Sequence, residues 1–412
     1  MLFLPAEEDR LANSHVTSSI SRFSRSSLMI AIFCDLVGFG MVIPDIQTRL
    51  ETFGARGWVI GAILSSYFLV MILVSPLWGR WSDRMGRKPI LIICGVFSVA
   101  SMLAYAGAHS LPVFLLSRIL AGFAAANVVV AQAYVADFTE EGEDRTNALG
   151  KMGAAITSGL IVGPALGGWL SARGGNVLLG DVAALISGAG ALWIALAVPN
   201  ASPRAENKPG KKAALRLDFS LVRDLPQLRF LFGFSTLIFF ALACLEGTFG
   251  RLIRARLGLG PDSFGLIFGY ESLLSTAIQV VGIGGMISRV SARFLLCLAC
   301  VLQSIGIGLI PYAPSLAFLF LLSTVYAIGS GISNPLLNSL CSAATPEPRQ
   351  GEMFGTLQSV RSLGFLLGPL LGNILFDWHI EAPYLMSATI LLFATFWARR
   401  GLSATGVPLS KT

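Results

Sequence analysis

The sequence predicts an all-α membrane protein whose twelve spanning helices form two related six-helix bundles. Three observations carry that expectation. Charged residues make up 13% of the 412, against 54% apolar residues and a mean hydropathy of +0.72. A soluble chain of this length needs about twice that share of charge to cover its surface. The apolar residues come in continuous runs of about 18 to 25, which suits spanning helices and not the alternating ten-residue segments of a membrane barrel. Finally, Gly150, Gly159, Gly163, Pro164 and Gly167 recur 205 residues later as Gly355, Gly364, Gly368, Pro369 and Gly372, so the second half repeats the first.

The runs fall at 28–47, 57–78, 89–107, 111–134, 148–170 and 178–198 in the first half. Those of the second lie at 230–250, 264–286, 294–312, 315–341, 353–376 and 383–400. The domain organisation expected is a tail over 1–27, a first bundle over 28–198, a linker over 199–229, a second bundle over 230–400 and a tail over 401–412. The linker carries Pro199, Pro203, Pro209 and Pro226 with a cluster of basic residues, and a short surface helix is expected near 215–224. Glu7, Glu8 and Asp9 stand where a cleaved signal would be basic, so the first helix is expected to insert uncleaved.

Loop charge sets the orientation. About 22 of the 30 Lys and Arg fall on the side of the two tails, and six (Arg49, Arg56, Arg173, Arg251, Arg254 and Arg256) on the other. By the positive-inside rule both tails are cytoplasmic, and the net charge of +7 needs no nucleic acid partner. Among the six basic residues on the opposite side, Arg251, Arg254 and Arg256 break the rule, and anionic lipid headgroups are one possible use of them. The six Cys fall within predicted helices without the His or acidic neighbours of a metal site, so they are expected in the core. The three His lie in the tail or external loops and there is no phosphate-binding loop, so neither an enzyme nor an ATP-driven pump is expected. No cofactor is expected either. Duplicated halves with a site between them at mid-membrane are a transporter architecture driven by an ion gradient.

Residues 79–88 read Gly-Arg-Trp-Ser-Asp-Arg-Met-Gly-Arg-Lys. Gly79 and Gly86 permit a sharp turn, and Asp83 is a lone acid among Arg80, Arg84, Arg87 and Lys88. With twelve spans and an internal repeat, this loop resembles the signature Gly-x-x-x-Asp-Arg-x-Gly-Arg-Lys of the major facilitator superfamily, over about residues 28–400. The resemblance implies the major facilitator fold and a cytoplasmic gate in which Asp83 braces against the start of the eleventh helix, with Asp137 and Arg145 as further partners. In the second half the same offset carries Gly79, Arg84 and Lys88 onto Gly284, Arg289 and Arg293, while Ser288 replaces the acid.

The fifth helix carries Gly159, Gly163, Pro164, Gly167 and Gly168. The glycines make a small-residue stripe that lets backbones approach, and the proline bends the helix. The pattern resembles the antiporter motif of drug:proton antiporters, which implies export, with this helix sealing the outer half against proton leak. Arg118, Gly122 and Ala126 are similar to the family's fourth-helix motif, whose Arg is implied in proton coupling; a buried Arg needs a carboxylate, a carbonyl or water. The first helix, Cys34-Asp35 through Pro44, is similar to that of tetracycline-type exporters, which continue to a second proline where this chain has Gln47.

Five charges lie well inside predicted helices: Asp35, Arg118, Glu246, Glu271 and Arg361. Their cost in hydrocarbon marks them as candidates for proton or substrate coupling, with Asp35 or Glu271 as proton carrier. Glu246 is also expected to pair with Arg251 or Arg254 near the surface, and Arg361 to counter an anion. Tyr326, Asn334, Asn338 and Gln279 are candidate cavity-lining residues. The expected function is a proton-coupled exporter of small amphipathic molecules, a monomer in the lipid of a bacterial inner membrane, working by alternating access. A symporter for a small metabolite and a lipid-handling protein of the same fold stand as alternatives.

Overall fold

The computed structural model describes residues 6–137, 139, 143–199, 223–281, 290–346 and 349–404. Most of the expected linker, with its surface helix, lies outside them, as do Gly284, Ser288 and Arg289 of the second signature copy. The described chain is helical throughout: α1 (Ala6–Thr52), α2 (Gly57–Met85), α3 (Arg87–Ala106), α4 (Leu111–Ala124), α5 (Asn127–Asp137), α6 (Glu143–Ala197), α7 (Pro226–Leu257), α8 (Pro261–Val281), α9 (Ala292–Leu309), α10 (Leu316–Ala343), α11 (Gln350–Trp378) and α12 (Ala382–Ala404).

Twelve crossings result, by a different division of the chain from the one expected. The fourth span is two helices, α4 and α5, broken at Ala125–Ala126. The fifth and sixth spans are one helical stretch, α6, of 55 residues. At 1.5 Å per residue it would be about 80 Å long, against roughly 30 Å of hydrocarbon. Gly175 resolves this with φ 66 and ψ −168, a backbone open to glycine. The arms on either side of it run in opposite directions along α1. Gly159, Gly163 and Gly167 meet Leu36, Gly40 and Met41 in ascending order, whereas Ala183 and Ser187 lie against Gly38, and Gly190 against Ala31. The expected loop over 171–177 is thus a single bent residue. The expected N-terminal tail is also partly helix, because α1 begins at Ala6.

The two halves have separate cores. One apolar cluster runs from Leu228 to Ala398, and the others lie between Leu28 and Val198. Sequence repetition becomes structural repetition at the glycine stripes. In the first half Gly159 and Gly163 close on Phe33 O and Val37 O of α1; in the second, Gly364 and Gly368 close on Thr236 O and Phe240 O of α7. The halves then meet through α1–α7, α2–α11 and α6–α8. These meetings lie toward the end opposite the tails: Gly57, Gly61 and Ser65 with Asp377, Leu370 and Leu366, and Gly168 and Pro164 with Pro261 and Gly265. Toward the tails a Cβ at Gly79, Gly150, Gly153 or Gly355 would meet nothing within 4 Å. Among the described residues the two halves are joined at the far end and stand apart toward the tails.

Candidate functional site

Asp35 sits midway along α1, on the wall of a cleft with about 350 Å³ of empty space counted to its open mouth. Leu36, Phe39, Tyr67, Ser98, Met102 and Asn127 are among the residues lining it. The break after α4 places Asn127 at the start of α5, where its side-chain amide donates to Asp35 Oδ2. Asp35 Oδ1 is enclosed and lacks a hydrogen-bond partner among the described residues, although Ser98 and Ser187 stand beside it. A carboxylate held this way has one oxygen anchored by Asn127 and one enclosed beside two serines.

Arg118 is 2% exposed on α4. Its Nε donates to Ser117 Oγ (3.3 Å), Nη2 has no partner among the described residues, and its guanidinium lies over the rings of Tyr105 (5.6 Å) and Phe114 (5.9 Å). The ring faces supply an attraction worth about 1–2 kcal/mol when desolvated. Tyr67 is within electrostatic reach of both Arg118 and Asp35. It is held there because Gly122 lets α4 close on the Tyr67 carbonyl and on Val70. Beyond Tyr105 lies a second buried acid, Asp45, which accepts from the Tyr105 hydroxyl and from Ser171 Oγ (2.8 Å). Arg49 caps the end of α3 by donating to Tyr105 O (2.6 Å) and Ala108 O (2.7 Å). Arg49 ends an apolar run and reads in sequence as a loop charge, yet it is 5% exposed.

The second half places Glu246 on α7 and Glu271 on α8 within electrostatic reach of each other and of the buried Tyr326 on α10. The expected pairing of Glu246 with Arg251 or Arg254 is not formed. Arg251, one turn along α7, instead gives Nε to Glu51 (2.8 Å), Nη1 to Asn373 (3.1 Å) and Nη2 to Asp377 (2.9 Å). Arg254 lies 3.9 Å from Glu51, and Arg256 pairs with Glu381. The three arginines that break the positive-inside rule each stand within 4 Å of an acid of this chain, with Arg251 buried and Arg254 and Arg256 exposed. Arg361 donates to Ser235 (3.1 Å) and Asn338 (2.7 Å) and lies 4.7 Å from the Phe239 ring. It meets polar oxygens and a ring face. Asn334 Oδ1 is enclosed without a partner among the described residues, and Gln279 is exposed, donating to Ser275 at 3.3 Å.

An aromatic ladder joins the two sides. Phe39 stacks on Tyr67 (5.0 Å), Tyr67 meets Phe68 edge-on (4.9 Å), Phe68 stacks on Phe365 of the other half (5.0 Å), and Phe365 meets Phe239 (5.6 Å). It connects the Asp35 cleft to Arg361. Asn127, Tyr67, Ser98 and Ser187 are absent from the sequence reading because no spacing links them; they converge only through packing.

At the tail end the signature loop departs from expectation. Gly79 lies inside α2 with open space around it, whereas Gly86 makes the turn alone at φ 94. Asp83 is exposed and pairs with Arg87 of its own loop at 2.5 Å, and Arg87 also holds Asp137 at 2.9 Å and Ser82 at 2.6 Å. Asp137 is therefore a partner of Arg87, and Arg145 donates to the carbonyls of Ala136 and Thr139 that end α5. Arg84 is exposed and Lys88 half-buried. In the fifth-span motif, Gly167 closes on Met41, while Pro164 and Gly168 reach across to α8. All six cysteines are free, and the described residues contain no cluster of metal-ligand type.

The chain matches the model of the Major Facilitator Superfamily over residues 28–251 and 230–408. It is 27% identical over 371 residues to Multidrug resistance protein 2 of Bacillus subtilis, covering 89% of this chain and 92% of that protein. It is 26% identical over 362 residues to the class D tetracycline resistance protein of Salmonella ordonez, covering 85% and 88%. Among solved structures, a bacterial homologue of the human lysosomal transporter Spinster, inward-facing and occupied, superposes with a TM-score of 0.76 at 14% identity. That match covers 94% of this chain and 98% of the other. The human organic anion transporter TETRAN superposes with a TM-score of 0.68 at 24% identity, covering 92% and 99%.

Proposed function

The chain belongs to the Major Facilitator Superfamily, and from that premise we propose that this secondary transporter is a proton-coupled efflux antiporter for small amphipathic molecules. The observation that carries the proposal is Asp35: an intramembrane acid held by Asn127, with Ser98 and Ser187 beside it, in the wall of a cleft lined by Phe39, Tyr67 and Met102. A flat, cationic drug can lay its apolar body on those side chains and its charge on the carboxylate. A proton taken up by the same carboxylate removes that attraction and favours release. The relatives named for multidrug and tetracycline resistance support a substrate of this kind. Glu246 and Glu271 form the second proton-binding locus, and the halves rock about their joined end.

With both tails in the cytoplasm of a bacterial cell, as loop charge implies, the conformation described is inward-facing. Drug enters the Asp35 cleft from the tail side, and a proton arriving from outside follows it after reorientation. Vesicle transport tests this. In inverted membrane vesicles an imposed proton gradient is expected to drive drug accumulation coupled to proton efflux. Asp35→Asn is expected to lower that flux by about tenfold or more, as loss of a charge-assisted contact implies. Accumulation in right-side-out vesicles instead would make the protein an uptake carrier, and unchanged transport in both Asp35→Asn and Glu271→Gln would remove these acids from the mechanism.

A further inference from the structure

Gln47 departs from the first-helix pattern that the sequence otherwise resembles, and the structure shows what the departure does. The side chain leaves α1, crosses to the other half and enters the backbone of α7. Its Nε2 donates to the carbonyl of Glu246, and its Oε1 accepts from the amide of Gly250 at 2.8 Å, with the Arg251 amide at 3.4 Å. Residues 246 and 250 are an i, i+4 pair, so in an uninterrupted helix that amide would donate to that carbonyl. A carboxamide from the opposite half thus holds both ends of one rung of the α7 ladder while the helix stays continuous. Both of its polar atoms are used, and the residue is 2% exposed. The pattern of donors and acceptors allows only one orientation of the amide.

The rung is placed between two groups of consequence. Glu246, a half-buried acid, is at its inner end. Arg251, which binds Glu51 across the halves, is at its outer end. α7 runs unbroken through this turn, so Gln47 grips a turn that is already helical. When the far end opens, Gln47 withdraws with α1, the turn loses that hold, and the Glu246 side chain is freed to shift relative to its neighbours.

We propose that Gln47 is a positioning residue that couples closure of the far end to the environment of Glu246. The inference rests on the reading of Glu246 as a coupling acid. Glu246 is faced by Glu271 of α8 and Tyr326 of α10. One turn farther out stand Arg251 and Arg254 of α7, Glu51 of α1, Asp377 of α11 and Tyr384 of α12. A proline at position 47 could make none of these bonds, so the coupling is specific to this chain's glutamine.

The test uses the full chain in lipid nanodiscs and needs no transport. Gln47→Met keeps the length and loses the hydrogen bonds. Gly250→Ala approaches from the other side, since its Cβ would meet Gln47 Oε1 at 2.9 Å and displace it. Amide exchange by mass spectrometry is expected to rise about three- to tenfold in peptides covering 47–57 and 246–254, as loss of one or two neutral hydrogen bonds implies. Peptides covering 79–88 are expected to stay unchanged. The carboxyl C=O stretch of Glu246, assigned in infrared spectra by its loss in Glu246→Gln, is expected to titrate with a midpoint displaced by about half a pH unit or more in both variants. Unchanged exchange would mean that the clip contributes nothing to closure and would overturn the proposal. Raised exchange with an unmoved infrared midpoint would make Gln47 a seal without coupling, and would overturn it equally. Absence of proton-linked transport in the wild type would defeat the antiporter reading and leave both of these results standing.

Discussion

The two ends of this transporter use charge in opposite ways. At the far end a buried cation, Arg251, joins one half to the other through Glu51, and Gly57 N–H crosses back to Asp377 at 2.6 Å. At the tail end the ion pairs Arg25–Asp144, Arg87–Asp83, Arg87–Asp137 and Arg349–Asp224 each stay within one half. The signature loop, with the densest charge in the chain, is therefore organised but not engaged. A cross-half bond has to be broken for the far end to open, whereas a pair within one half, even the largely buried Arg87–Asp137, is left intact when the halves move apart. The contrast explains how a chain with so few charges holds one conformation: among the described residues the ion pairs that bridge the halves join them at the far end.

The sharpest way to break the contrast is at the two hub arginines. Arg251→Met leaves Glu51 and Asp377 close together without their shared cation, and removing one partner of a buried ion cluster costs roughly 3–5 kcal/mol. Opening of the far end is expected to become more than about a hundredfold easier, read as amide exchange in 47–57 and 365–377. Arg87→Ala removes a hub with as many bonds, but its acids, exposed Asp83 and largely buried Asp137, lie in its own half, so a loss of about 1–2 kcal/mol in overall stability is expected without opening of the far end. The far-end peptides should not respond. Equal responses at both ends would mean that crossing the halves does not separate the two hubs.

A smaller perturbation tests whether the far end is held by shape as well as by charge. A Cβ at Gly168 would run into Pro261 O and come within 3.0 Å of the Asp262 Cα, both backbone atoms of the opposite half. Backbone yields poorly, so Gly168→Ala is expected to cost roughly 1–3 kcal/mol of closure, seen as faster exchange in 261–269. A result indistinguishable from wild type would show that α6 and α8 can slide apart by a few tenths of an ångström without loss.

Much of this was readable from residue chemistry alone. Run length and the shortage of charge identify the spanning helices because bilayer thickness leaves no other solution. The repeat survives in three dimensions because its glycines are needed for backbone contact: Gly163 and Gly368 occupy the same place in the two halves. The intrahelical charges also stood out, since hydrocarbon makes each of them costly. The polar cage around Asp35 was not readable, because Ser98, Asn127 and Ser187 come from three helices and each alone is an ordinary helix residue. Nor was the use of Gln47, which in sequence marks only the loss of a proline. Arg251 shows the limit most clearly: its proximity to Glu246 along the chain suggested a pair, but five residues turn their side chains about 140° apart, and Glu51 of the opposite half and Asp377 supply the acids.

The smallest expected effect falls on the glycine that the signature loop makes most prominent. Gly79 lies within α2, nothing would meet its Cβ within 4 Å, and its backbone is helical. Gly79→Ala should therefore stabilise this conformation by about 0.5–1 kcal/mol, the usual gain from replacing glycine inside a helix. Gly86, with φ 94, sits at the turn itself, and Gly86→Ala should cost about 1–2 kcal/mol. Thermal unfolding of the two variants in detergent checks the pair. Opposite signs would assign the turn to Gly86 alone. A loss at Gly79 would mean that the open space beside it is filled in solution, and that the tail end is not as disengaged as the far end is closed.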